Sequence, residues 1–444
     1  MTSEHKEKMA IWYGTRSLWA RRRVLVSAYA CNPKSSLLLH PGEDFTGWRL
    51  VNQIGRFHEL WVITHRYNEP GVSAALTERP LPNVRFCFVD LSPAWKWLYR
   101  IEFGQRIYYF LWQIKAWRVA RRLHRKVHFD LAHHLTFGND WIPSFIGAFL
   151  PVPFVWGPVG GGQRTPKPML REYSLYGRFA EAARNMAQWL GRRSFVRRRC
   201  LKKATAVLVC NRETRAKMPL RYTDKIFYFP VNGIATSDVQ DESPHPNEDL
   251  TFKVITVGRL HRLKGFALTV RAFGVFSGKH PESELVIIGN GPEEKHLQDL
   301  VLNLGLQKRV RIMPWLPRKD VLANMRSSDV FLFPSFRDGG GAVVVEAMAS
   351  CLPVIVLDSG GPAAHVQDSW GIKVIPKNRE FVVQEMVQAL ERLYSNRDLR
   401  RRMGEAGRKK AMEFYTWEKL GERMRDIYDF VLEGKALADQ DLKN

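Results

Sequence analysis

Between Phe333 and Val356 the chain reads as a strand end, a turn of three glycines (Gly339, Gly340, Gly341), a helix start at Ala342 and a second apolar strand. The same alternation of short apolar runs with helical stretches recurs along the chain, which argues for parallel sheets covered on both faces. It falls into two series. The first has apolar runs at 24–29, 60–64, 84–89, 131–135, 154–156 and 206–209, with a helix from about Trp48. The second has strands at 254–257, 285–288, 310–313, 330–333 and 354–357, with helices from about Phe266 and over 293–304 and 319–327. Residues 238–249 between them are polar, acidic and proline-bearing, and read as a linker. The expected organisation is an arm (1–20), a first α/β domain (21–237), the linker (238–249), a second α/β domain (250–415), an amphipathic helix (416–435) and a tail (436–444).

The glycine turn suggests a chemistry. Its amides, at Gly340, Gly341 and Ala342, point out of a helix N-terminus, whose partial positive charge favours anions and phosphates above all. Asp338 lies in the turn and Glu346 eight positions on, and both can accept hydrogen bonds from neutral hydroxyls. Upstream in the same series, a strand ends at Gly258, and Arg259 and Lys264 follow in a short loop. A planar guanidinium beside a point charge suits a departing diphosphate. Phosphate and two sets of hydroxyls together describe a nucleotide sugar. Asn290-Gly291-Pro292 after the 285–288 strand fits a ligand contact or a plain turn, and both readings stay open.

These motifs resemble the donor site of retaining glycosyltransferase family 4, the glycosyl transferases group 1, which have the GT-B fold. They are Gly258-Arg259 with Lys264, Gly289-Asn290-Gly291-Pro292, and Asp338 with Glu346. Asn232-Gly233-Ile234, Cys31-Asn32-Pro33, the 41–48 segment, His133-His134 and the 156–162 segment are similar to further family motifs, so the resemblance runs from about Val24 to Leu432. It implies two facing doubly wound Rossmann-like domains, with the last helix crossing back to the first. It also implies that Arg259 and Lys264 hold the diphosphate, Glu346 the ribose, Asp338 and Gly339 to Ala342 the sugar and phosphate, and backbone near Trp315 and Leu316 the base. A strand-end histidine, His133 or His134, would stand near the reacting sugar. Glu43 and the amides of Gly160, Gly161 and Gly162 would line the acceptor side. The implied donor is a UDP- or GDP-sugar, used as a substrate without a further cofactor. The chain departs from the pattern in three places: Asp338 stands where the family usually has Glu, Ala235 replaces the usual Asp, and residues 35–39 are inserted before Pro41.

Composition narrows the partners. Of 68 Lys/Arg and 44 Asp/Glu, residues 1–250 hold 38 against 20, a surplus of 18, and residues 251–444 hold 30 against 24, a surplus of 6. A basic first half predicts an anionic partner. Residues 95–126 combine nine aromatic rings between Trp95 and Trp117 with nine Lys/Arg and one Glu, a mixture suited to anionic lipid headgroups. Five scattered cysteines read as reduced, and no apolar run nears the roughly 18 residues that span a bilayer. The expected setting is cytoplasmic, peripheral on the inner membrane face, with a lipid-linked or cell-envelope glycan acceptor. No metal site is legible; the lone Asp-x-Asp, at Asp439 and Asp441, sits in the polar tail. The rival readings are a GT-B sugar-nucleotide epimerase or phosphorylase, and a basic nucleic-acid-binding protein. The second lacks any recognisable nucleic-acid motif, so no nucleic acid is expected.

Overall fold

The computed structural model describes residues 21–33, 41–101, 104–239 and 251–435. The expected N-terminal arm, the insertion at 35–39, most of the linker and the tail with Asp439 and Asp441 lie outside the described residues.

Two all-parallel sheets are present. The first has β1 (Arg23–Ser27), β2 (Glu59–His65), β3 (Val84–Val89), β4 (Leu131–His134), β5 (Phe154–Val159), β6 (Ala206–Val209) and β7 (Ile226–Tyr228), in the order β3-β2-β1-β4-β5-β6-β7. The second has β8 (Phe252–Val257), β9 (Ser283–Ile288), β10 (Val310–Met313), β11 (Val330–Phe333), β12 (Val354–Leu357) and β13 (Gly371–Val374), in the order β10-β9-β8-β11-β12-β13. Both are doubly wound, and the fold is GT-B. Alternate residues of β1 enter opposite cores, Leu25 on one face and Val24 and Val26 on the other, as a sheet buried on both sides requires.

Strand order decides where a ligand can sit. In each sheet the winding reverses beside the first strand, between β1 and β4 and between β8 and β11, and the crevice outside the carboxyl ends opens there. The loops carrying Arg259, Lys264 and Asp338 follow β8 and β11, so sequence separation of more than seventy residues becomes spatial adjacency.

The last helix, Trp417–Glu433, packs on the first domain. Trp417, Leu420, Met424, Ile427 and Tyr428 are buried with Val26, Leu50 and Ile54. The crossing is pinned where the Ile234 amide donates to Tyr415 O (2.9 Å) and the Trp417 amide to Ile234 O (3.1 Å).

Some expectations change. The first described helix, Pro41–Ile54, begins well before Trp48, with Glu43 and Asp44 in its first turn, where carboxylates favour a helix start. Within 95–126, Tyr108, Tyr109 and Trp112 of the helix Gly104–Val127 are buried in the first core, whereas Trp95, Trp97 and Phe110 are exposed. Part of that aromatic content therefore serves packing.

Candidate functional site

At the β8/β11 switch point the two loops meet through charge. Lys264 Nζ pairs with Asp338 Oδ2, and Asp338 Oδ1 accepts from the amides of Gly340 (3.1 Å) and Gly341 (3.0 Å). Burial alone would raise the Asp338 pKa. The Lys264 charge and hydrogen bond and the two amides outweigh it and hold the carboxyl below its ordinary value. Of the turn amides expected to meet sugar and phosphate, those of Gly340 and Gly341 are thus occupied by the turn's own aspartate. Gly341 adopts φ +64° as the cap of the helix Ala342–Ala349, a conformation that favours glycine. A Cβ on Gly340 would lie 2.2 Å from Asn232 Nδ2, so the first domain presses directly on the turn.

Arg259 is exposed, and its guanidinium makes no hydrogen bond or ion pair among the described residues; only its carbonyl is engaged, by the His261 amide (2.7 Å). It stands close enough to His261 for its charge to help depress that imidazole, after burial as the main cause. A free guanidinium just past Gly258 is available to an incoming anion.

Glu346 is the fifth residue of the helix Ala342–Ala349 and pairs with Arg318, whose Nε also bonds Asp238 Oδ2 at 2.9 Å. Burial would lower the Arg318 pKa, but the two carboxylates raise it instead. Asn290 acts as a turn residue: its Oδ1 accepts from the Trp315 amide (2.6 Å) and its carbonyl from the Leu260 amide (2.9 Å). The Trp315 amide is therefore engaged, although its ring is 53% exposed, and Leu316 packs partly on the second core. A Cβ on Gly291 would lie 2.2 Å from Leu260 O, which keeps this loop against the one that carries Arg259.

Two groups of expected residues are corrected. His133 is fully buried, with Nε2–H donating to Gly157 O (2.6 Å) and Nδ1 accepting from the Tyr428 hydroxyl (2.6 Å). Burial pushes its pKa down to about 4, against the Gly157 bond. His134 is 1% exposed, has Nε2 on the Tyr109 hydroxyl (3.1 Å), and is pushed down to about 3 by burial and then by His133. Both are neutral and enclosed by protein. The glycine amides of 160–162 also turn inward: Gly160 donates to Gly138 O, Gly161 to Gln163 Oε1 and Gly162 to Thr214 Oγ1. They form a braced turn and leave no amide for a ligand.

Glu43 sits by the first sheet's switch point, where its Oε2 accepts from the Phe137 amide at 3.0 Å. It is exposed at the molecular surface, although protein atoms crowd around its carboxyl. That crowding pushes its carboxyl up to about 7; the Phe137 bond opposes the shift and the Asp44 charge adds to it.

Several contacts were not anticipated. His365 holds the Gly340 carbonyl with Nε2 and the Tyr415 hydroxyl with Nδ1 (2.9 Å). From the first domain, Glu213 Oε1 accepts from the Gly360 amide (2.6 Å), Asn211 Nδ2 donates to Gly339 O (3.2 Å), and Glu181 pairs with Arg337 and Arg184. Each grips the glycine turn or its neighbour, and no local pattern marks it: His365 lies 25 residues from Gly340, and the first-domain residues lie 128 to 156 residues from the groups they hold. Among the described residues no group of three or more His, Cys, Asp or Glu could hold a metal ion.

With this geometry in place, residues 239–410 match the family model described as "Glycosyl transferases group 1". This region belongs to the group 1 glycosyl transferases. A D-inositol 3-phosphate glycosyltransferase of Corynebacterium kroppenstedtii is 33% identical over 180 residues, 39% of each chain. The chain spans less than half the length of the first curated relatives it matches, 39–48%. Among solved structures, sucrose-phosphate synthase from Thermosynechococcus elongatus superposes with a TM-score of 0.63 at 17% identity, over 94% of this chain and 100% of that one. Anabaena HepE, solved in complex with UDP, superposes at 0.58 and 14% identity, over 92% of this chain and 99% of that one. At these identities the likeness speaks for the fold. The group 1 region contains the Arg259, Lys264, Asp338 and Glu346 constellation in full.

Proposed function

We propose that the chain is a retaining glycosyltransferase that moves a hexosyl group from a nucleoside-diphosphate sugar, a UDP- or GDP-sugar, to an acceptor hydroxyl. The observation that carries this reading is the pairing of an unpartnered cation, Arg259, with Lys264 and an amide-rich helix start at one switch point. The diphosphate would take up Arg259 and compete with Asp338 for Lys264 and the turn amides. Asp338, released, would meet the sugar hydroxyls, and Glu346 the ribose. As the glycosidic bond breaks, negative charge grows on the leaving diphosphate, and fixed cations stabilise it without reorganising. These protein cations would serve without a metal. Domain contacts through Asn211, Glu213 and Glu181 would hold the reactants in place and exclude water.

Donor binding is tested by thermal unfolding with UDP, GDP and their sugars. One nucleotide at 100 times its Kd is expected to add about 2.7 kcal/mol of stability. No shift with any of them removes the proposal. Acceptor-independent turnover of the donor would point instead to an epimerase or phosphorylase.

On the acceptor side, Glu43 would receive a hydrogen bond from the attacking hydroxyl, and its ionised form accepts that bond more strongly than the neutral acid. Its carboxyl titrates at about 7, so the ionised fraction grows as pH rises through that value. Transfer at subsaturating acceptor is expected to rise between about pH 6 and 8, with an inflection near 7 that Glu43→Gln abolishes. An inflection that survives Glu43→Gln assigns the titration elsewhere.

A further inference from the structure

We propose that the outer face of the helix Leu175–Arg193, continued through Phe195, is a docking surface for an anionic lipid bilayer. Leu175, Phe179, Met186, Trp189, Leu190 and Phe195 are 46–81% exposed. Positions 175, 179, 186 and 190 recur on one helical stripe, so the exposure is continuous. The opposite stripe is polar and faces protein: Glu181 and Gln188 are buried, with Glu181 paired to Arg184 and Arg337 and Gln188 donating to Gly161 O. Apolar outside and charged inside is the reverse of a helix made to face water. Such a face needs cover.

Charge states what covers it. Residues 175–203 hold nine Lys/Arg against a single Glu. Arg178, Arg193, Arg198, Arg199 and Lys202 are exposed, and the Arg193 guanidinium lies 3.7 Å from the Trp189 ring centroid. Cations set around apolar and indole surface match the boundary between acyl chains and anionic headgroups. A second copy would bring like charge against like, since each chain carries a formal +24. The face continues onto the helix Gly104–Val127, where Ile107 and Phe110 are exposed. The two helices join at Trp141: Arg106 lies 5.3 Å from its ring, and a Cβ on Gly191 would lie 2.5 Å from its carbonyl. Among the described residues no helix is long and apolar enough to cross a membrane, so the helix would lie along the surface.

The same helix reaches the donor crevice, because Glu181 on its inner stripe holds Arg337, the residue before Asp338. Docking would set the transfer site beside the bilayer and direct it to a lipid-borne acceptor. That consequence rests on the proposed transfer; the docking itself does not.

The experiment floats the full chain with phosphatidylcholine vesicles, with or without phosphatidylglycerol. Flotation with the anionic vesicles, weakened by salt, is expected. Phe179→Ser with Leu190→Ser, and separately Arg193→Glu with Arg198→Glu, should each reduce the bound fraction roughly tenfold or more. Nucleotide-induced thermal shifts should stay unchanged. Wild-type protein that stays unbound, or variants that float as wild type, overturns the proposal. So does a wild-type dimer in sedimentation that the apolar variants dissolve. Failure of the nucleotide shift with flotation intact would sink the transfer reading and leave the docking face standing.

Discussion

Replacing Arg259 by alanine is expected to lower kcat by about 10²–10³-fold while leaving thermal stability unchanged. The two readouts separate because the Arg259 guanidinium is exposed and bonds no other described group, so truncating the side chain leaves nothing unpaired. Its charge would matter to the reaction once a donor diphosphate is bound, and most as the leaving charge grows. Lys264→Ala should lower kcat to a similar extent and also destabilise the protein. Both members of the Lys264–Asp338 pair are mostly enclosed, at 22% and 17% side-chain exposure. Removing one partner of a buried pair costs up to roughly 3–5 kcal/mol, and the amides of Gly340 and Gly341, which still bond Asp338, place this change towards the low end. Steady-state kinetics with denaturant unfolding checks both. Full activity in Arg259→Ala would refute the diphosphate site.

Glu346→Ala should act mainly on donor affinity. A hydrogen bond to a charged acceptor contributes about 1.5–3 kcal/mol, which predicts a donor KM raised roughly 10- to 150-fold with a smaller effect on kcat. Arg318 keeps Asp238 as a partner, so the fold should tolerate the change. Glu346→Gln, which can still accept a hydrogen bond, should recover part of the affinity. If Glu346 served only to anchor Arg318, Arg318→Ala would raise KM as much as Glu346→Ala, and a UDP or GDP titration of both variants decides this.

The pattern of the chain carried the two sheets well, because interior parallel strands are short, largely apolar runs and β1, β5, β8, β11 and β12 are of that kind. β7 and β13 escaped notice. Both are edge strands of three and four residues, half-buried in places, and too short to show a period. In the site, Lys264 and Asp338 were legible because each sits in a glycine-marked loop after a strand. Arg318 was not, since it opens an ordinary helix and gains its role only when sheet order brings it to Glu346. For His133, a place at a strand end says nothing of what covers that side of the sheet. The cover is Tyr428, 295 residues downstream.

By itself the sequence determined the element series, the glycine turn and the cations of the donor loops, all set by local periodicity and backbone freedom over a few residues. Tertiary structure alone decided which groups have partners: Asp338 on its own turn amides, the 160–162 amides folded inward, and the helix Leu175–Arg193 with its apolar stripe outward. The reason is physical. A hydrogen bond or a buried face depends on what strand order and domain docking bring within a few ångströms, and that information is spread over the whole chain.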